Sequence, residues 1–152
     1  DAQAILVSWD SAHLDAVAAS IERLLPTLDR EAIVRAIQVL KSGEPLVLFP
    51  EGERKSGPVV QPLMDGAAYV ACKAGVSIIP VGIGGSERVM GKGAKFIYPR
   101  KLVVIIGKPI PVPASVDGRM PRSAVKEVTT QLHEQLQMLF DEAQTKVGYA
   151  AK

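Results

Sequence analysis

The chain of 152 residues holds one cysteine, Cys72, and two histidines, His13 and His133. A lone thiol cannot close an internal disulfide and supplies no metal-cluster spacing, which excludes a disulfide-framed scaffold and fits a reducing compartment. No apolar run approaches the ~18–20 residues that cross a bilayer, and no signal-peptide pattern opens the chain. Asp1, not Met, stands first, so the chain is expected to be part of something longer. A block of Lys and Arg is also missing, and the formal net charge of +2 is too small to track a nucleic-acid backbone, so no nucleic-acid partner is expected.

Several chemical signatures are missing as well. No Gly-x-x-x-x-Gly-Lys-Ser/Thr is present, and Gly82-Ile83-Gly84-Gly85 lacks the third glycine of a dinucleotide loop. No cofactor is therefore expected. His133-Glu134-Gln135-Leu136-Gln137 places an amide where the helical zinc signature needs its second imidazole. It reads instead as an exposed histidine on an amphipathic helix, and no metal is expected. Ser11 and His13 lie beside Asp10 and Asp15, but neighbours along a chain seldom form a catalytic triad, which is a constellation in space. Cys72 sits among alanines and reads as a small core hydrophobe.

What is present suits a single globular core. Apolar residues make up 47% and charged residues 22%, ordinary values for a soluble domain. Ala4 to Val7 could be a strand or the start of a helix. Helical spacing of apolar residues runs from Leu14 to Leu25 and stops at Pro26. A clearer helix follows, with Asp29 as N-cap and a stripe of Ala32, Ile33, Ala36, Ile37 and Leu40. Lys41, Gly43 and Pro45 close it. Leu46 to Phe49, Val76 to Gly82 and Leu102 to Gly107 are apolar without alternation and read as strands buried on both faces. Pro80 cannot donate a ladder bond and suggests an edge or bulge. Leu63 to Ala74 reads as a helix ended by Gly75, and a long helix closes the chain with Val125, Val128, Leu132, Leu136, Leu139, Phe140 and Ala143 on one face. The expected fold is α/β, a mostly parallel sheet flanked by helices.

In such sheets ligands gather beyond the carboxyl ends of strands. One strand empties there into Val47-Leu48-Phe49-Pro50-Glu51-Gly52-Glu53-Arg54-Lys55, a turn with both signs of charge. Gly52 lets the backbone approach a ligand without a Cβ. Arg54 offers planar paired donors for a phosphate or carboxylate, Lys55 adds a second cation, and Glu51 can hold the guanidinium or accept from a hydroxyl.

Phe49-Pro50-Glu51-Gly52-Glu53-Arg54 resembles the third motif of the glycerolipid acyltransferases of the 1-acylglycerol-3-phosphate acyltransferase type, commonly Phe-Pro-Glu-Gly-Thr-Arg. Ile78-Ile79-Pro80-Val81 resembles their fourth, and the likeness runs from about Asp29 to Ile110. The resemblance implies an acyltransferase-like α/β domain over 29–152, incomplete at its N-terminus, behind a segment 1–28 of uncertain relation. It further implies acyl transfer in phospholipid synthesis, from a thioester of acyl-CoA or acyl carrier protein to lysophosphatidate. The partners are then that thioester, lysophosphatidate and a membrane surface, with peripheral attachment at the cytoplasmic face. Carried over by position, Phe49, Pro50, Glu51, Gly52, Glu53, Arg54 and Lys55 bind the acceptor, and Pro80 shapes the acyl-donor side. Glu53 replaces the usual threonine. The family's His-x-x-x-x-Asp dyad has no match: five residues after His13 stands Ala18. Catalytic residues therefore stay unassigned, and a non-catalytic lipid-phosphate binding module of the same fold is the alternative.

Overall fold

The computed structural model describes residues 4–7, 30–52, 55–89, 96–113 and 120–148. The expected helix from Leu14 to Leu25, the Asp29 cap, Glu53 and Arg54 lie outside them. Four strands, β1 (Ala4–Val7), β2 (Leu46–Leu48), β3 (Ile78–Gly84) and β4 (Val103–Ile106), form one sheet in the order β2-β1-β3-β4. Four helices accompany them: α1 (Arg30–Lys41), α2 (Gly66–Ala74), the short α3 (Ser86–Val89) and α4 (Arg122–Val147).

The α/β class holds, but every pairing in the sheet is antiparallel, which corrects the expectation of a mostly parallel one. β2 and β3 do run the same way, joined through α2 as a crossover unit requires. β1 lies between them in the opposite sense, so the parallel pair never touches. Apolar composition marks a strand but carries no direction, which is why the sequence misled here.

Burial on both faces is corrected too. Leu48, Ile5 and Pro80 stand in one row across three strands, as do Leu46, Val7 and Ile78, so the even-numbered positions of β2 and β3 share a face. Leu46 and Ile78 are fully buried there, in one core with Ala36 and Leu40 of α1, Ala68 and Ala71 of α2, and Leu132, Leu136 and Phe140 of α4. Burying each of those large side chains contributes about 1.5–3 kcal/mol. On the other face Val104 and Ile106 remain 51% and 62% exposed. Among the described residues, helices pack on one side of the sheet.

α4 approaches the sheet closely because β3 offers it glycine. A Cβ on Gly82 would lie 2.6 Å from the Leu139 backbone, and one on Gly84 would lie 2.5 Å from that of Ala143. The Gly82–Gly84 stretch is thus strand rather than the loop its composition suggests. Gly75 ends α2 with φ 74°, returning its N–H to the Ala71 carbonyl as expected. The helix itself begins at Gly66, later than Leu63, and Met64 N–H donates to the Pro50 carbonyl at 2.9 Å.

Pro80 occupies an interior strand, not an edge. Its carbonyl accepts from Gly107 N–H at 2.8 Å, so its backbone polar groups face β4, one residue past the last β3–β4 pair, Val81 with Ile106. The missing N–H therefore falls where that ladder ends, and the pair with Ile5 on β1 is of the kind that exchanges no bonds.

Candidate functional site

β2 stops at Leu48, and the next four residues fold into a tight turn closed by a Gly52 N–H bond to the Phe49 carbonyl at 3.0 Å. Proline at the second position supplies the required φ, and glycine at the fourth supplies freedom. Gly52 uses it: its φ is +74°, and an added Cβ would stand 2.7 Å from Met64 Cε. The turn leaves the sheet at the carboxyl end of β2, as the sequence indicates.

The downstream loop, residues 55–64, is bound back to this turn. Glu51 Oε1 accepts from Gln61 N–H at 2.8 Å, beside the Pro50–Met64 bond. On its far side α4 holds the same loop. Gln137 Oε1 accepts from Val60 N–H at 2.8 Å, and His133 Nε2 lies 3.0 Å from the Val60 carbonyl. A carbonyl can only accept, so this contact puts the imidazole proton on Nε2. His133 is half-buried and structural, which corrects its reading as an exposed residue. Gln137 is steadied in turn by its amide bond to Asp141 Oδ1 at 2.8 Å. Thr129 Oγ1 reaches Asp65 Oδ1 at 2.9 Å, fixing where the loop enters α2.

The motif residues separate by exposure. Phe49 is 42% exposed, Gly52 faces solvent, Lys55 is half-buried and Pro50 is buried. Glu51 is only 4% exposed, and its Oε2 is buried with no hydrogen-bond partner among the described residues. Leaving such an acceptor unpaired costs about 1–3 kcal/mol. A carboxylate so placed organises the turn from beneath. Pro80 is not brought to the turn: it stands in the Leu48 row two strands away, its ring fully buried in the sheet. Cys72 is buried in the core as expected, and desolvation pushes its thiol pKa up. Among the described residues no three His, Cys, Asp or Glu side chains converge on a possible metal position.

Gln61, His133 and Gln137 escaped the sequence reading. Their partners are ten to seventy-seven positions away, and nothing in the local pattern of α4 distinguishes a loop-holding Gln from a solvated one.

Residues 4–84, from β1 through β3, match the acyltransferase family. The 1-acyl-sn-glycerol-3-phosphate acyltransferase LPAT1, chloroplastic, of Arabidopsis thaliana is 30% identical over 106 residues, 69% of this chain and 29% of that protein. The chain thus spans less than a third of the length of such relatives. The crystal structure of the 1-acyl-sn-glycerophosphate (LPA) acyltransferase PlsC from Thermotoga maritima shares the fold. Its TM-score is 0.57 and its identity 23%, with 80% of this chain and 46% of that one covered. A short stretch of 34 residues, 22% of the chain, is 74% identical to 8% of the histidinol dehydrogenase of Pseudomonas syringae pv. syringae (strain B728a). A piece of that size holds no core of its own and carries no fold assignment. With the Phe-Pro-Glu-Gly turn at the end of β2, the proline motif in β3, and a family match over more than half its length, this chain belongs to the glycerolipid acyltransferase family.

Proposed function

We propose that this chain binds lysophosphatidate at the turn after β2 for acyl transfer from an acyl thioester. The observation that carries the reading is the turn itself. It projects from a strand end, its backbone is fixed by the Glu51–Gln61 and Pro50–Met64 bonds, and it delivers Arg54 and Lys55 as the next cations in sequence. In this reading Arg54 takes the phosphate in paired charge-assisted bonds and Lys55 adds a second positive charge. The unpartnered Glu51 Oε2 becomes the acceptor that orients the guanidinium when the headgroup is bound. Glu53, in the place of a threonine, sets a negative charge beside the phosphate and narrows the acceptors that bind well.

The transfer forms an ester C–O bond and breaks the thioester C–S bond. The acceptor hydroxyl gives up its proton to a base, and the departing thiolate takes one up. That base belongs to the family's His-x-x-x-x-Asp dyad. Ala18 stands where this chain would need the aspartate, which favours a second reading, a phosphate-binding module that does not catalyse alone. Partners in the first reading are an acyl-CoA or acyl carrier protein thioester and a membrane surface at its cytoplasmic face.

Two assays on the same preparation separate these readings. Binding of short-chain lysophosphatidate by calorimetry is expected in both and is lost in Arg54→Ala; unchanged binding in that variant overturns the phosphate grip. Consumption of acyl thioester in the presence of lysophosphatidate assigns the full reaction, and binding without consumption assigns the binding module.

A further inference from the structure

From Arg88 to Val116 the chain carries Arg88, Lys92, Lys95, Arg100, Lys101 and Lys108 and no Asp or Glu at all. Elsewhere acids outnumber bases, since the whole chain has 16 acids against 18 bases and six of those bases lie in this stretch. The same stretch holds the three most exposed large apolar side chains described, Phe96 and Ile97 at 72% and Ile106 at 62%, with Tyr98 at 54% beside them. An apolar surface ringed by one sign of charge calls for a partner with both properties.

The geometry gathers the described residues of this stretch. Leu102, Val104 and Ile106 are alternate positions along β4 and its approach, so they line one face, the face turned away from α4. β4 is an edge strand, with β3 on one side only. Tyr98 N–H donates to the Val89 carbonyl at 2.9 Å, tying the 96–98 loop to the end of α3. The Lys101 carbonyl abuts Gly85, directly after β3, so the loop and the β4 stripe meet at one corner of the sheet. Arg100 is exposed at that corner and Lys108 beyond the far end of the strand, while Lys101 Nζ donates to the Lys146 carbonyl at 2.6 Å, at the end of α4.

We infer that this corner is a docking surface for an anionic lipid bilayer. The 96–98 loop would enter the interface, the Leu102–Val104–Ile106 stripe would rest on it, and Arg100 and Lys108 would face lipid phosphates. Aromatic and aliphatic side chains at headgroup level with Lys and Arg around them are what an interfacial anchor requires. Each cation near an anionic surface strengthens binding about fivefold at low salt, an effect that fades within a Debye length. The inference stands on the surface of the chain and not on the chemistry of the β2 turn.

Co-sedimentation with phosphatidylcholine vesicles, plain or doped with phosphatidylglycerol, tests it. The protein is expected to pellet with the doped vesicles, less with plain ones, and less again as salt rises. Phe96→Ser with Ile97→Ser should weaken pelleting about tenfold or more. Arg100→Glu with Lys108→Glu should remove most of the preference for anionic lipid. Both pairs lie at exposed positions, and circular dichroism confirms that they fold. Calorimetric binding of short-chain lysophosphatidate should be unchanged in both, so a failed headgroup site and a failed docking surface give different results. Absence of pelleting by the unaltered protein, equal pelleting by the variants, or a dimer in solution that Phe96→Ser with Ile97→Ser dissolves would each overturn the inference.

Discussion

Glu51 Oε1 accepts the Gln61 N–H at 2.8 Å, while the other oxygen of the same buried carboxylate has no hydrogen-bond partner among the described residues. One side chain thus joins the motif turn to the loop ten residues later and keeps an acceptor in reserve. Glu51→Ala removes the partner of Gln61 and leaves a void, so a loss of about 1–3 kcal/mol in urea unfolding is expected. Glu51→Gln retains an acceptor for Gln61 and should unfold within about 1 kcal/mol of the parent. The same variant should bind lysophosphatidate more weakly, because the spare oxygen is gone. Equal affinity in Glu51→Gln would confine Glu51 to holding the loop.

Gln137 and His133 hold Val60 by its N–H and its carbonyl. Gln137→Ala strands a backbone donor on a buried residue, and a loss of about 1–2 kcal/mol is expected. Amide hydrogen exchange gives the more specific reading. Val60 should exchange much faster in the variant while Leu132 and Leu136, on the buried face of α4, keep their protection.

These contacts show where the sequence was legible and where it was not. The stripe of α1 lies as its spacing indicates, with Ala36 and Leu40 buried and Ile33 and Ile37 against the core. Val125, Val128, Leu132, Leu136, Phe140 and Ala143 face inward from α4 for the same reason. Periodicity records which side of a helix is apolar, so helices were readable. It does not record strand direction, so the antiparallel pairings were not. The β4 run, Val103-Val104-Ile105-Ile106, reads as buried twice over because its exposed and its core-facing residues have the same apolar composition. At the turn, residue types indicated the place, but the bonds from Gln61 and Gln137 depend on the tertiary fold.

Two glycines should respond differently to alanine. Gly84 has room for no Cβ, since one would lie 2.5 Å from the Ala143 carbonyl carbon and 2.8 Å from the Gln144 nitrogen, both backbone atoms of α4. Backbone cannot swing aside, so the helix must shift, and a loss of about 1–3 kcal/mol is expected from overpacking. Gly43 ends α1 with φ +85° and open space around it. There only the left-handed backbone opposes alanine, at about 1–2 kcal/mol. In thermal unfolding both variants should melt earlier. The amide spectrum of β3 and α4 should change in Gly84→Ala and stay put in Gly43→Ala.

Cys72 offers a pH test of the core. Burial disfavours the thiolate and raises the pKa of the folded form, whereas the unfolded chain has an ordinary thiol near ~8.5. Between those two values the native state binds more protons than the unfolded one. Stability attributable to this group is therefore full below the unfolded value and declines as pH rises past it. Cys72→Ala removes the titration and should flatten that part of the decline above the unfolded thiol's pKa, while costing packing at every pH. Alkylation by iodoacetamide reports the same burial directly. The native protein should react far more slowly than the urea-unfolded chain at pH 8, because a thiol in the α2–core contact must first be exposed. Reaction at the unfolded rate would place Cys72 outside the core.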